Sequence, residues 1–296
     1  MWLALLHALH LPYLISGAAL WCGAALLAAF AFSTLWRKKD PAQGRVLTLG
    51  LFAALAFLPS SWAAYTLRVY RDNIFPALCL YFFAGMAGMA LRAVFTPEKP
   101  LWPWLAAAGA GLACGYLDRE DAGLFLLPFA AAASVIVAVV LAGKRRWKAL
   151  AAQVIPYVML GVGVLTFCTL NYTHYGVFAL SDFSEGSFAA AMGAMMRVDT
   201  DSTAPYLSVP ADARKKIYDA VPELEPLAYW LEEDAQLQND FRDPNLDDYR
   251  AGSFYWAIRR AAQFEGIYAD AKTADAYWQT VADKINAACD AGTPVS

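Results

Sequence analysis

The sequence is poor in the residues that support metal and thiol chemistry. Its 296 residues include only three histidines and five cysteines. Four cysteines lie inside apolar runs, where a thiol behaves as a small hydrophobic group, and Cys289 stands alone in the C-terminal part, so no disulfide framework is expected there. The sequence shows no Ser/His/Asp arrangement, no glycine-rich phosphate loop and no Cys/His spacing typical of zinc. These absences argue against a soluble hydrolase or a nucleotide-binding enzyme.

Charge is also scarce, and it is unevenly distributed. Residues 1–36 carry no formal charge, and the mean hydropathy of the chain is +0.39, too high for an ordinary soluble domain. Residues 1–170 contain 13 Lys and Arg against 6 Asp and Glu, whereas residues 171–296 contain 10 against 20. The basic residues form short clusters beside apolar runs, so nucleic acid is not an expected partner. The pattern predicts a basic membrane part followed by an acidic soluble part.

Six apolar segments approach the length of about 20 residues that a membrane-spanning helix needs. The predicted spans are residues 13–35, 46–65, 74–91, 101–117, 122–142 and 150–170. Pro12 is expected to separate a short interfacial helix from the first span. We therefore predict an all-α protein: a polytopic membrane bundle of about six spans in residues 1–170, then a small α-helical extracytoplasmic domain in residues 171–296.

The connecting segments predict the orientation of the bundle. Successive connecting segments alternate between the two sides of the membrane. The segments on one side carry ten basic residues, and those on the other side carry three. The ten are Arg37, Lys38, Lys39, Arg45, Arg92, Lys99, Lys144, Arg145, Arg146 and Lys148, and the three are Arg68, Arg71 and Arg119. Because basic residues favour the cytoplasmic side, the segments with three basic residues and everything after residue 170 are predicted to lie outside an inner, cytoplasmic membrane.

The C-terminal part predicts a small helical core. Amphipathic stretches begin at ADARKKIYDAV and PELEPLAYWLEED, and a third has Asn245 as its expected N-cap. The last helix is expected to start after Thr273 and to stop at Gly292, with one apolar face. That face consists of Ala274, Tyr277, Trp278, Val281, Ile285 and Cys289. Trp256 could stack on a sugar, but a core position is the favoured interpretation.

The most distinctive polar motif is Asp118-Arg119-Glu120-Asp121, between the fourth and fifth predicted spans. A tight turn at a membrane surface needs polar residues, and acids at the start of the next helix suit its dipole. Alternatively, Arg119 binds a lipid-linked phosphate, and Glu120 or Asp121 holds a divalent cation or accepts a proton. With Asp118, these acids are the candidate catalytic carboxylates. The sequence leaves both interpretations open and identifies no particular metal.

Three further residues are candidates for binding a lipid phosphate. Arg68 and Arg71 lie three apart in the segment LRVYRDN, so they share one face of a helical turn on the predicted outer side. They either contact lipid headgroups by snorkelling or form a cradle for a polyprenyl phosphate. His174 lies just beyond the sixth predicted span among tyrosines, where either a structural role or a part in the site is open.

These motifs resemble a known family. GYLDREDAGLFLLPF, residues 115–129, is similar to a TREEGLWLLP-like segment of bacterial GT-C-type glycosyltransferases, which use polyprenyl-phosphate sugars. On this resemblance, Arg119, Glu120 and Asp121 match an Arg-acid-acid pattern, and Gly123 and Pro128 follow in register. NYTHYGVFALSDFSEGSFAAAMGAMMRVD and SFYWAIRRAAQFEGIY…VADKINAACDAG also resemble outer parts of such proteins. The resemblance covers residues 60–292 and implies membrane lipid and a polyprenyl-phosphate sugar as partners.

The sequence departs from that family in one respect. GT-C enzymes generally carry a catalytic acid in an outer loop after the first span, and they are longer than this chain. Here the corresponding segment, residues 66–73, offers only Asp72. We therefore expect either the C-terminal part of such an enzyme or a relative without catalysis. The alternative function is a membrane-anchored scaffold that presents an acidic helical domain to an envelope partner.

Overall fold

The structure is a computed structural model that describes residues 2–36, 41–58, 73–119, 121–183, 185–202 and 204–292. Within these ranges the chain forms α-helices and short 3-10 helices, with one isolated β-bridge and no strand. The all-α prediction is therefore confirmed. The chain divides into two compact units, Met1–Thr166 and Phe167–Ser296. The assignment of residues 1–170 to the membrane and of residues 171–296 to the outside stays a prediction.

The first unit is built from apolar helices, most of which are long. They are α1 (Trp2–Ala8), α2 (Tyr13–Trp36), α3 (Pro41–Ala56), α4 (Phe75–Phe95), α5 (Trp102–Asp118), α6 (Ala122–Gly143), α7 (Trp147–Ala152) and α8 (Ile155–Tyr175). The division between the units falls inside α8. The break between α1 and α2 confirms the predicted interruption at Pro12, because proline disfavours a helical conformation in the residue before it.

Four of the six predicted spans are long and apolar enough to cross a membrane in the described part of the chain. They are α2, α4, α6 and the stretch Trp147–Tyr175, which contains α7 and α8. Helices α3 and α5 have 16 and 17 residues. Both are shorter than the length of about 20 residues that a span requires, and the second half of the predicted span 46–65 lies partly outside the described residues. The count of six spans therefore stays a prediction.

Helix α4 lies at the centre of the first unit, between α2 and α5, and α6 packs against it as well. Two glycines bring the backbones of α4 and α5 together. A Cβ at Gly85 would lie 2.7 Å from the carbonyl oxygen of Trp104, and a Cβ at Gly111 would lie 2.6 Å from that of Leu78. Such small residues let apolar helices approach closely, and this contact is a common basis of helix association in lipid.

Polar side chains join other helices of the first unit. The indole Nε1 of Trp21 donates to the carbonyl oxygen of Leu55 at 3.1 Å, and that of Trp36 donates to Thr48 Oγ1 at 3.1 Å, linking α2 to α3. The hydroxyl of Tyr157 on α8 lies 2.7 Å from Ser134 Oγ on α6. Hydrogen bonds between apolar helices satisfy polar groups that have no water to bind in a bilayer, so they help to fix the helix positions.

The second unit is a helical domain with a continuous apolar core. After the end of α8 it contains α9 (Gly186–Met195), α10 (Ala211–Ala220), α11 (Glu225–Glu232), α12 (Ala235–Phe241), α13 (Ala251–Phe264) and α14 (Ala271–Asp290). Helices α9 and α14 form its main helix pair, in which the ring of Phe188 packs edge-on against Trp278 with centroids 5.0 Å apart. The predicted apolar face of α14 is confirmed, since Ala274, Trp278, Val281 and Ile285 are buried.

Two predicted helix starts are wrong. Helix α13 begins at Ala251 and Asn245 is not its N-cap. The backbone N–H of Asn245 instead donates to the Asp243 carboxylate at 2.8 Å, so that carboxylate stabilises a turn in place of a helix. Helix α14 begins at Ala271, earlier than expected, because the Asp270 side chain accepts from the backbone N–H of Thr273 and acts as the N-cap.

Two features of the second unit differ from the sequence interpretation in other ways. Helix α9 lies in a segment whose mixed, glycine-punctuated pattern predicted no particular element, yet six of its ten residues are buried. Trp256 is not a core residue. It is 51% exposed, and its ring stacks on Phe183 with centroids 4.7 Å apart.

Candidate functional site

The turn between α5 and α6 holds the predicted acid-rich motif. Asp118 is the last residue of α5, and Asp121 directly precedes α6. Arg119 binds Asp121 through two parallel hydrogen bonds, Nε to Oδ1 and Nη2 to Oδ2, each 2.7 Å long. This fork-to-fork geometry is the strongest arrangement between a guanidinium and a carboxylate. Glu120 lies outside the described residues.

An aromatic ring lies next to the positive charge of this pair. The guanidinium carbon of Arg119 lies 5.2 Å from the centroid of the Phe75 ring at the start of α4. The side chains of Arg119 and Asp121 are 29% and 41% exposed, so both remain accessible to a ligand. Asp121 does not cap α6 with its side chain, although it occupies the N-cap position. The turn therefore presents a held guanidinium–carboxylate pair at one end of two apolar helices.

Among the described residues, His174 makes polar contacts only with its own helix end. It is exposed in the last turn of α8, where Nδ1 lies 3.1 Å from Thr173 Oγ1 and 3.0 Å from the carbonyl oxygen of Leu170. These contacts are local to its own helix end, and a part for His174 in the site stays a prediction. The other phosphate-binding candidates, Arg68 and Arg71, lie outside the described residues.

Among the residues that the structure describes, no group of three or more His, Cys, Asp or Glu could hold a metal ion. Because Glu120 is not among them, the expected cation site in residues 118–121 stays a prediction.

A buried charge network in the second unit has no counterpart in the sequence analysis. Arg214 of α10 is 1% exposed and forms a two-pronged pair with Glu232, with Nε 2.6 Å from Oε1 and Nη2 2.9 Å from Oε2. Its Nη1 donates to Asp248 Oδ1 at 2.7 Å and to the carbonyl oxygen of Val209 at 2.9 Å. Tyr218 donates to Glu232 Oε1 at 3.0 Å. The network joins α10 to the end of α11 and to the turn before α13.

The electrostatics of the network follow from its burial. Burial opposes the charge of Arg214, but hydrogen bonds from its guanidinium to Glu232 and the charges of Glu232 and Asp248 outweigh it, so the pKa of Arg214 is raised. Burial and the Glu232 carboxylate raise the pKa of Tyr218. Arg214 and Arg242 both lie over the Tyr249 ring, 5.1 and 5.4 Å from its centroid. We assign this cluster a structural role, since its donors and acceptors mainly satisfy one another.

A groove of about 530 Å³ also opens in the second unit. Its walls are the segment 176–179 that follows α8, the start of α9 and the first turns of α14. Three charged side chains line it, namely Glu185, Lys272 and Asp275. Sequence reasoning missed this groove because its walls come from segments about ninety residues apart, with no shared motif.

Comparisons of the chain with protein-family models, with curated proteins and with solved structures found no match.

Proposed function

We propose that this chain transfers a sugar from a polyprenyl-phosphate donor on the extracytoplasmic face of the cytoplasmic membrane. The observation that carries the proposal is the Arg119–Asp121 pair, which keeps a cation and a carboxylate together in the turn between α5 and α6. Both side chains are partly exposed, and on the proposed topology this turn lies at the extracytoplasmic surface of the membrane, where a lipid-linked phosphate would reach it. The likeness of residues 115–129 to GT-C-type segments supports the same assignment.

The pair supplies the two groups that such a transfer needs, a cation that binds the donor phosphate and a carboxylate that accepts the proton of the acceptor hydroxyl. Phosphate competes with Asp121 for Arg119, because both are bidentate acceptors for a guanidinium. Binding of the donor therefore releases the Asp121 carboxylate. The acceptor hydroxyl attacks the anomeric carbon, and its proton passes to Asp121 or Glu120. The bond from the anomeric carbon to the phosphate oxygen breaks, and its electron pair leaves on polyprenyl phosphate, whose charge Arg119 balances.

The proposed topology has six crossings, with α3 and α5 as the short ones. A 17-residue helix such as α5 is about 26 Å long, close to the thickness of about 30 Å of the hydrocarbon core. The basic cluster Lys144, Arg145 and Arg146 lies at the opposite end of α6 from Arg119. That placement supports a cytoplasmic position for the cluster and an outer position for the Arg119 turn.

Membrane vesicles that contain the full chain test this function with a radiolabelled polyprenyl-phosphate hexose. We expect Arg119→Ala to weaken donor binding about tenfold or more, because a charged hydrogen-bond partner of the phosphate is lost. Asp121→Asn and Glu120→Gln should leave binding largely intact and lower turnover. Lys144→Ala and Glu98→Gln are matched controls at exposed positions in other turns. Absence of both binding and turnover in the unaltered chain, or equal losses in the controls, would exclude the proposal.

A non-catalytic scaffold is the second candidate, and the surface of the second unit favours it. Tyr206 and Tyr229 are 71% and 54% exposed on this acidic unit, and exposed tyrosines are enriched at protein interfaces. A photo-crosslinking amino acid at either position, in intact cells, should capture one defined envelope protein, whereas the same group at Lys215 should not. Failure to capture any protein from either tyrosine position would remove this candidate.

A further inference from the structure

Trp256 presents an exposed aromatic surface that the second unit holds in place. Its indole stacks on the Phe183 ring, with centroids 4.7 Å apart and planes inclined by 30°. Phe183 in turn contacts Tyr255 and the buried ring of Phe188, whose centroids lie 5.7 and 5.9 Å away. Because Phe183 is itself packed on the core, the indole is ordered before any ligand arrives. Such a side chain loses less entropy when a ligand covers it.

The second face of the Trp256 indole is open. The residue is 51% exposed although Phe183 covers one face. A helical side chain leans toward the N-terminus of its helix, so the indole extends toward Gly252, one turn earlier in α13. A Cβ at Gly252 would meet no atom within 4 Å. This glycine therefore leaves free space beside the open face.

An ion pair borders the two stacked rings. Arg259 Nη2 lies 2.8 Å from Asp182 Oδ2. Arg259 follows Trp256 by three positions in α13 and therefore shares its side of the helix, and Asp182 directly precedes Phe183. The side chains of Arg259 and Asp182 are 28% and 48% exposed. Hydrogen-bond donors and acceptors are thus both within reach of a ligand at the edge of the stack.

The charges around the stack indicate which kind of ligand it suits. Residues 171–296 contain 20 Asp and Glu against 10 Lys and Arg, which disfavours a polyanion such as nucleic acid. The guanidinium of Arg259 disfavours a cation at the same place. A neutral ring with hydroxyl groups meets neither cost, because a hydroxyl accepts from Arg259 and donates to Asp182. The C–H face of a pyranose also suits the negative π-face of an indole.

The size of the apolar surface favours a single sugar ring over a protein. The next exposed positions of α13 are Arg260 and Gln263, and Arg260 Nη1 donates to Gln263 Oε1 at 3.0 Å. The apolar area beside Trp256 therefore ends within one turn of the helix. A stable protein interface covers about 800 Å² on each partner, far more than one indole face provides.

We propose that the open face of Trp256, together with Arg259 and Asp182, binds one pyranose unit of a neutral glycan. The indole stacks on the C–H face of the sugar, and the ion pair binds hydroxyl groups at its edge, which sets the orientation of the ring. The proposal does not depend on sugar transfer, because a non-catalytic scaffold would bind a glycan through the same residues.

A glycan array tests the proposal with the full chain in a detergent that carries no sugar. The array presents neutral oligosaccharides of glucose, galactose, mannose and N-acetylglucosamine, and heparin is the anionic comparison. We expect at least one neutral glycan to bind, and to bind more tightly than heparin. Calorimetry with that glycan then compares variants. Trp256→Ala should lower the affinity about tenfold or more, because stacking on the ring is lost, and Trp256→Phe should retain part of it.

Matched variants separate binding from folding. Tyr229→Ala removes an equally exposed ring from α11 and should leave the affinity unchanged. Gly252→Leu should block the open face, whereas Gly252→Ala should bind as the unaltered chain does, and both residues favour a helix more than glycine. Asp182→Ala should lower the affinity about tenfold through loss of a charged acceptor. Thermal unfolding of each variant shows that it remains folded.

Three results would overturn the proposal. The first is that no neutral glycan binds, and a defined protein captured by a photo-crosslinking group at position 256 would then identify a protein interface instead. The second is that heparin binds more tightly than every neutral glycan. The third is that Trp256→Ala and Tyr229→Ala lower the affinity equally, or that Gly252→Leu leaves it unchanged.

Discussion

Arg214 and Glu232 form a bidentate ion pair inside the second unit, with both nitrogen–oxygen distances below 3 Å. Asp248 completes the arrangement from the other side, at 2.7 Å. The Arg214 side chain is 2% exposed and that of Asp248 is 8% exposed. Loss of one partner therefore leaves charge that water reaches poorly, which is the situation in which a buried ion pair matters most for stability.

We expect Arg214→Met to destabilise the second unit by about 3 kcal/mol or more, because it strands the carboxylates of Asp248 and Glu232. Denaturation of the detergent-solubilised chain, followed by alkylation of the half-buried Cys289 thiol, measures the change. The matched control is Arg197→Met, which removes an exposed partner of Asp290 and should leave the unfolding transition unchanged. Equal unfolding of the two variants would contradict a structural role for the network.

Acidic pH should weaken the second unit through Asp212. Partial burial opposes its charge, but hydrogen bonds from Thr200 Oγ1 and from the backbone N–H of Asp201 outweigh it and lower the pKa of Asp212. A carboxyl whose folded-state pKa lies below its unfolded value stabilises the fold above the unfolded pKa of about 3.9. That contribution is lost as the pH falls through the folded-state pKa.

A pH series of unfolding experiments on Asp212→Asn tests this linkage. The variant should be less stable than the unaltered chain at pH 7, and the difference should shrink as the pH falls below about 4. Asp219→Asn, at an exposed position on the same helix, serves as the comparison and should show no such convergence. If the difference in the free energy of unfolding stays constant with pH, Asp212 stabilises the fold through its packing and not through its charge.

The close contact of α4 and α5 predicts intolerance to even a methyl group. A Cβ at Gly111 would lie 2.6 Å from both Leu78 O and Phe82 N, and backbone atoms cannot rotate away as a side chain can. We expect Gly111→Ala to cost about 1–3 kcal/mol, the usual range for overpacking. Thermal unfolding and size-exclusion profiles in detergent measure it. Gly161→Ala, which meets no atom within 4 Å, should behave as the unaltered chain does.

Much of the helical framework can be predicted from the sequence, because it depends on local composition. Apolar runs mark α2, α4 and α6, and Pro12 marks a break. The number of spans cannot be predicted in the same way, because α3 and α5 lie close to the minimum length of a span. At that length an apolar composition does not distinguish a membrane-spanning helix from a shorter apolar helix. Helix α9 was missed because its exposed positions, Gly186 and Ala190, carry small residues, so the alternation of apolar and polar residues that signals a surface helix is absent.

Sites that combine distant segments are harder to predict. Arg214 lies in ADARKKIYDAV beside two lysines, and nothing in that stretch distinguishes it from them. Its partners Glu232 and Asp248 stand 18 and 34 residues further along the chain. The groove around Lys272 has the same property. By contrast, the Arg119–Asp121 pair is visible in the sequence, because its two members are separated by a single residue.

Exchange of the charges of Arg119 and Asp121 separates the two interpretations of their turn. The double variant Arg119→Asp with Asp121→Arg keeps one cation and one carboxylate in the turn, so an ordinary structural turn should tolerate it. In such a partly exposed turn the pair is worth at most about 1 kcal/mol, and Arg119→Ala alone should leave the chain folded. A catalytic turn should not tolerate the exchange, since the cation moves from beside Phe75 to the start of α6.

Donor binding should then fall as far in the double variant as in Arg119→Ala, while thermal unfolding stays close to that of the unaltered chain. Full recovery of donor binding in the double variant would show that net charge, and not the position of the guanidinium, is what the turn provides.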